Sequence, residues 1–127
     1  MVLVSHSREV AQSTAALARA LVGTGDPAPV APAGGLPGGG VGTDAELVRR
    51  AVRDADQGAG VVVLCDMGSA VLTVRTLLDA KELQGTTHLA DAPFVEGAVA
   101  AVVTASAGGD LDAVLAATAD AREYRKL

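Results

Sequence analysis

Val61-Val62-Val63-Leu64-Cys65-Asp66-Met67-Gly68-Ser69-Ala70 is the stretch that decides the fold. An unbroken apolar run, rich in β-branched residues, passes directly into Asp-Met-Gly-Ser, and a helical pattern follows. A strand apolar on both faces belongs at the centre of a parallel sheet covered by helices on both sides. The first eight residues, Met1-Val2-Leu3-Val4-Ser5-His6-Ser7-Arg8, repeat that layout, with an apolar run that turns polar at Ser-His-Ser before a helix. Placed side by side, the two strands bring Asp66 next to His6 at the carboxyl edge of the sheet, where open α/β folds bind ligands.

The rest of the chain is read outward from these two strands. Glu9 to Val22 is expected to be a helix with Val10, Leu17 and Leu21 at helical spacing, and Thr14, Ala15 and Ala18 as small residues allowing close approach to the sheet. Gly23 stops it. Gly23 to Gly42 holds eight glycines and four prolines in 20 residues. Ala28 to Ala33 within it is long enough for a short strand, which its two prolines confine to a sheet edge. Gly34 to Gly42 reads as a mobile loop.

Thr43-Asp44-Ala45-Glu46 has the pattern of a capping box and opens a helix with a stripe of Leu47, Val48, Ala51, Val52 and Ala55. Arg49, Arg50 and Arg53 form its solvated face. A helix is expected from Ser69 to about Leu83, and a weak fourth strand over Thr86 to Ala90. Val95 to Ala105 is read as a helix apolar all round, hence covered, which points to a subunit interface. Asp110 caps a last helix from Leu111 to about Ala121. Alternation of this kind gives an α/β fold: an open, mainly parallel sheet of four strands in the order 2-1-3-4 with helices on both faces. Residues 1–121 form the single domain, and 122–127 a charged tail or the start of a linker.

Composition narrows the function. At 127 residues the chain can bury a real core, and with 50% hydrophobic and 2% aromatic residues that core is built from Val, Leu and Ala. A net charge of −5 favours neither nucleic acid nor an anionic membrane surface. One cysteine, Cys65, permits no disulfide within the chain, in keeping with a reducing cytoplasm. No basic leader and no run of about 18 apolar residues is present, so a soluble cytoplasmic protein is expected.

The chemistry rests on His6. An isolated histidine after a strand most often bonds a nearby backbone group, but an acid facing it changes the balance. If Asp66 accepts from one ring nitrogen, the other presents its lone pair to the crevice. Gly68 and Ser69 open the third helix, whose free amides and dipole suit a dianion, although Ser69 alone is equally well a plain cap. Ser5, Ser7 and Thr43 are further donors with weaker claims. A nucleophilic histidine, an orienting carboxylate and an anion nest together indicate phosphohistidine chemistry. No P-loop motif occurs. Gly23-Thr24-Gly25-Asp26-Pro27-Ala28 matches a dinucleotide pattern by letters only, since it follows a helix and contains proline. Two distant histidines make a poor metal site, and His88 is read as structural.

Val4-Ser5-His6-Ser7, Gly42-Thr43-Asp44, Asp66-Met67-Gly68-Ser69-Ala70 and Ala92-Pro93-Phe94-Val95-Glu96-Gly97, in this order and spacing, resemble the DhaM family. This is the phosphotransferase subunit of dihydroxyacetone kinase systems, itself similar to the mannose-type IIA domain of the sugar phosphotransferase system (PTS). The resemblance implies that His6 receives a phosphoryl group from HPr and passes it to ADP on the DhaL subunit, whose ATP serves dihydroxyacetone on DhaK. It implies that Asp66 orients His6, that Ser69 and the Gly68 amide hold the phosphoryl group, that no cofactor is tightly bound, and that the protein is a homodimer. Two alternatives stand beside it: a mannose-type IIA component that passes phosphate to a IIB protein, and a ligand-binding module on a flavodoxin-like scaffold.

Overall fold

The computed structural model describes residues 1–127. Strands β1 (Val2–Ser5), β2 (Ala31–Gly34), β3 (Val61–Cys65) and β4 (Thr87–Ala90) form one parallel sheet in the order β2-β1-β3-β4. The strand order expected from the edge prolines is the one observed, and Pro32 lies in β2 at the sheet edge opposite Leu3. Five helices accompany the sheet: α1 (Arg8–Ala20), α2 (Ala45–Ala55), α3 (Gly68–Asp79), α4 (Phe94–Ser106) and α5 (Leu111–Asp120), followed by a 3-10 turn at Ala121–Glu123. The uniformly apolar segment after Pro93 is therefore helical.

Side chains alternate across the central strands as a sheet covered on both faces requires. Val2, Val4, Val61, Val63 and Cys65 join Val48, Val52, Val74 and Leu77 of α2 and α3 on one face. Leu3 and Leu64 join Ala15 and Ala18 of α1 and Ala98 and Val102 of α4 on the other. Val62 packs with Ala101 and with Val114 of α5.

Helix α1 departs from its reading. Its buried residues are Ala11, Thr14, Ala15 and Ala18, whereas Val10, Leu17 and Leu21 are exposed. The small residues do more than allow approach; they are the packing face, and the larger apolar ones are turned away from the sheet. Gly34 shows how tight the contact is. A Cβ there would stand 2.5 Å from the Ser7 carbonyl oxygen and 2.8 Å from the Ala11 Cβ.

Two local readings near the site are also corrected. Helix α2 is capped by Asp44, whose carboxylate accepts from Leu47 N at 2.8 Å, in place of Thr43 with Glu46. The carboxylate wins because its charge complements the helix dipole as well as bonding an amide. The segment read as a mobile loop is a hydrogen-bonded turn: Gly39 N donates to Leu36 O, Leu36 N to Gly40 O, and Gly42 N to His6 O at 2.9 Å. Positive φ at Gly35, Gly39 and Gly40 lets it fold back over the end of β1.

Gly34→Ala is expected to destabilise the protein by about 1–3 kcal/mol, because backbone and not a flexible side chain blocks the added carbon. Chemical denaturation of wild type and variant measures this, and an unchanged midpoint would contradict the packing described.

Candidate phosphoryl-transfer site

Strands β1 and β3 are in register with Val4 beside Cys65, so the residues that leave the two strands meet. Asp66 N donates to Val4 O at 3.0 Å, which extends the ladder one step past the last strand residue. The Asp66 carboxylate then closes on the start of the other loop. Its Oδ2 accepts from Ser5 Oγ and from the His6 backbone N–H, each at 2.9 Å, and its Oδ1 lies 2.9 Å from His6 Nδ1.

That geometry assigns the ring. An ionised carboxylate only accepts, so Nδ1 carries the hydrogen it donates to Asp66. In the neutral imidazole Nε2 is then the lone-pair nitrogen, and the Ser69 hydroxyl, 2.5 Å away, donates to it. A hydrogen bond to a charged group contributes roughly 1.5–3 kcal/mol, enough to hold one tautomer. Burial pushes the Asp66 carboxyl upward, but the hydrogen bonds from the His6 backbone, the His6 ring and Ser5 outweigh it and leave its pKa below the ordinary 3.8. The acid therefore stays ionised at neutral pH and stabilises any positive charge that develops on the ring.

Helix α3 begins beside Nε2. Its N-cap is Met67, which makes no side-chain cap bond, so the first amides, those of Gly68 and Ser69, are left for another acceptor. Ser69 does not cap the helix; its hydroxyl is on the histidine. The structure thus brings together His6, Asp66, Ser69 and Gly68.

The other expected donors are placed differently. Ser7 is the N-cap of α1: its Oγ accepts from Val10 N at 3.3 Å and donates to Glu9 at 2.8 Å, which commits it to the helix start. Thr43 follows Gly42, the residue tied to the His6 carbonyl, and its hydroxyl is buried without a hydrogen-bond partner. His88 is exposed on the edge strand β4.

Sequence reasoning missed the task of Ser5. It is fully buried, donates to Asp66 and accepts from Ser7 N at 3.1 Å, so it fixes the acid and the turn together. A hydroxyl at the last position of a central, otherwise apolar strand was the available signal, since a buried Ser needs partners. Cys65 is buried, and desolvation, with a smaller contribution from the neighbouring Asp66, pushes its thiol up to about 12, so it takes no part as a nucleophile at neutral pH.

Comparison with known proteins identifies the family. Residues 1–115 match the EIIA-man family model, described as the PTS system fructose IIA component. The chain is 38% identical over 119 residues to the phosphoryl donor subunit DhaM of the PEP-dependent dihydroxyacetone kinase of Escherichia coli K12, covering 91% of this chain and 25% of that protein. It is 33% identical over 118 residues to the corresponding DhaM subunit of kinase 2 of Listeria innocua, covering 91% of this chain and 92% of that one. The chain spans about a quarter of the length of several curated relatives it matches, those of Escherichia coli, Pantoea ananatis and Klebsiella michiganensis among them. A crystal structure of EF1359, described as a protein of unknown function, superposes with a TM-score of 0.77 at 29% identity, over 94% of this chain and 91% of that one. With the fold, the paired His6 and Asp66 and these likenesses in agreement, the chain belongs to the EIIA-man family, on its DhaM branch.

Proposed function

We propose that this chain is a phosphohistidine carrier in which Nε2 of His6 takes a phosphoryl group from HPr and passes it to ADP held on a DhaL subunit. The ATP so formed serves dihydroxyacetone bound to DhaK. The observation that carries the reading is the ring held at Nδ1 by Asp66 with Nε2 turned to Ser69 and the start of α3.

In the forward step the Nε2 lone pair attacks phosphorus, the Nε2–P bond forms, and the bond to the donor's histidine breaks with its electron pair returning to that ring. Nδ1 keeps its proton throughout, so the phosphorylated ring is cationic and Asp66 balances the charge. The Ser69 hydroxyl moves from Nε2 to a phosphoryl oxygen, joined by the Gly68 and Ser69 amides at the positive end of the helix. In the second step an oxygen of the ADP β-phosphate attacks the same phosphorus, and the electrons of the Nε2–P bond return to the ring. The protein holds no tightly bound cofactor and carries only the transient phosphohistidine.

On this reading the phosphoenolpyruvate-fed relay runs in the cytoplasm; no helix of the chain is long and apolar enough to cross a membrane. The protein acts as a homodimer through the exposed face of α1 and α4, where Leu17, Leu21, Val95, Val99, Val103 and Tyr124 line a shallow apolar groove. A second reading, transfer to a IIB protein of a sugar PTS, is favoured only by the family description as a IIA component.

Four outcomes test the proposal. Phosphoenolpyruvate with enzyme I and HPr is expected to label the chain through an acid-labile, base-stable bond, with His6→Ala unlabelled and Asp66→Asn slowed by at least tenfold. Label that appears on DhaL-bound ADP and not on a IIB protein separates the two readings. Because the folded pKa of Asp66 is depressed, its stabilisation is fully present above about 3.8, the ordinary value, and is lost as pH falls through the lower folded value. Denaturation midpoints of wild type should therefore fall with acid over that window more steeply than those of Asp66→Asn. Leu17→Asp should convert the dimer to monomer in analytical ultracentrifugation, and a wild-type monomer at micromolar concentration would refute the interface.

A further inference from the structure

Asp66 accepts three hydrogen bonds from unequal sources. The His6 backbone N–H would be present with almost any residue at that position, and the His6 ring is the group on which the chemistry falls. Only the Ser5 hydroxyl is a donor that the sequence selects for this carboxylate. Its place is a costly one for a polar group. Ser5 is the last residue of β1, fully buried behind Val2, Leu3 and Val4, where an alanine would fill the strand without requiring a partner.

The three bonds also divide between the two carboxylate oxygens. Oδ1 faces the ring at Nδ1, whereas Oδ2 takes both the Ser5 hydroxyl and the His6 amide, each at 2.9 Å. Ser5 therefore does not hold the ring; it draws carboxylate charge toward the oxygen turned away from it. The Ser7 N–H, 3.1 Å from Ser5 Oγ, donates to that hydroxyl, which polarises it and leaves its proton for Asp66. Ser7 is the N-cap of α1, so this chain of bonds begins at the positive end of a helix. A carboxylate already satisfied by such donors is a weaker base, and a weaker partner for a cation, than one with fewer of them.

Resting on the phosphohistidine reading, we propose that Ser5 is a positioning residue that acts through Asp66 to set the phosphoryl-transfer potential of His6. Charging forms the Nε2–P bond as the donor's N–P bond breaks and its electron pair returns to the donor ring. Nδ1 keeps its proton, so His6 passes from neutral to cationic while it faces Asp66. Only the cationic product gains strongly from the carboxylate, and each donor on Oδ2 reduces that gain. The Ser5 hydroxyl thus moves the exchange back toward the donor protein. A carrier has to give its phosphoryl group away as readily as it takes it, and an untempered acid beside the ring would favour the charged state alone.

The test mixes the purified chain with an equal amount of phospho-HPr, without enzyme I or phosphoenolpyruvate, and measures the label on each protein once its distribution is constant. Ser5→Ala is expected to shift the equilibrium constant by about fivefold toward the phosphorylated chain, a fraction of what a hydrogen bond to a charged group contributes. Ser5→Thr keeps the hydroxyl and is expected to restore the wild-type constant. The equilibrium position separates tuning from bracing, because a carboxylate that is merely loosened slows exchange in both directions alike. Slower exchange with an unchanged constant in Ser5→Ala overturns the proposal, and so does a shift toward HPr. A shift in Ser5→Thr as large as that in Ser5→Ala overturns it too, since the hydroxyl is then not the cause. Should Ser5→Ala fail to fold, Ser5→Cys, close in size but a much weaker donor, is read in its place: a shift toward the phosphorylated chain supports the assignment and an unchanged constant overturns it. A wild-type chain that takes no label overturns the phosphohistidine reading itself, which the other outcomes leave standing.

Discussion

One carboxylate holds the working end of this molecule together. Asp66 leaves β3 and accepts hydrogen bonds from Ser5 Oγ, the His6 amide and the His6 ring, so both of its oxygens are used and all three partners come from the neighbouring strand. Each bond has a separate consequence. The Ser5 and backbone bonds fix the acid relative to β1, and the ring bond fixes the imidazole relative to the acid. A charge only partly removed from water is tolerable because three donors replace its hydration. The tautomer follows without further help, and it leaves Nε2 as the nitrogen with a free lone pair.

The neighbouring helix is arranged to suit an anion. Helices α1, α2 and α5 are each capped by a side chain, from Ser7, Asp44 and Asp110. Helix α3 begins at Met67, which cannot cap, and the nearby serine hydroxyl is taken by the imidazole. A helix start left in this way is less stable by about 1 kcal/mol than a capped one. On the phosphohistidine reading, a dianion on Nε2 would supply what is missing by accepting from the open amides and from Ser69. On that reading the helix start would be better satisfied in the phosphorylated protein than in the free one, which would favour charging of the histidine.

How much of this was legible in the sequence depends on which physical signal each residue carries. The strand order was readable because a proline-containing strand belongs at an edge, although of Pro29 and Pro32 only Pro32 lies within β2, and the meeting of His6 with Asp66 followed from two apolar strands of like layout lying side by side. The α2 cap was misread because Thr43 and Asp44 are adjacent capping residues and the pattern favoured the first, while the geometry of the preceding turn buries Thr43 and presents Asp44 to the amide of Leu47. The orientation of α1 was only half legible. Periodicity scores apolarity and not size, and here close packing on β2 and Gly34 selects alanines over leucines. Ser5 was seen as a donor but not as the brace of Asp66, because nothing in one sequence tells which partner a buried hydroxyl takes.

The choice of small residues for the interior has a consequence for the exterior. With aromatics at 2%, the core is filled by Val, Leu and Ala, and α1 packs on the sheet through Ala and Thr alone, so that its large aliphatic side chains are left outside. The exposed apolar side chains do not collect evenly. On the α1–α4 face they form a continuous groove on two helices, with Tyr124 at its border, whereas Leu36, Val41, Met67 and Leu72 stand as single side chains on the turn before α2 and along the start of α3. Lasting interfaces are large and apolar, whereas transient ones are smaller and mixed. Of the two, only the groove has the character of the first kind.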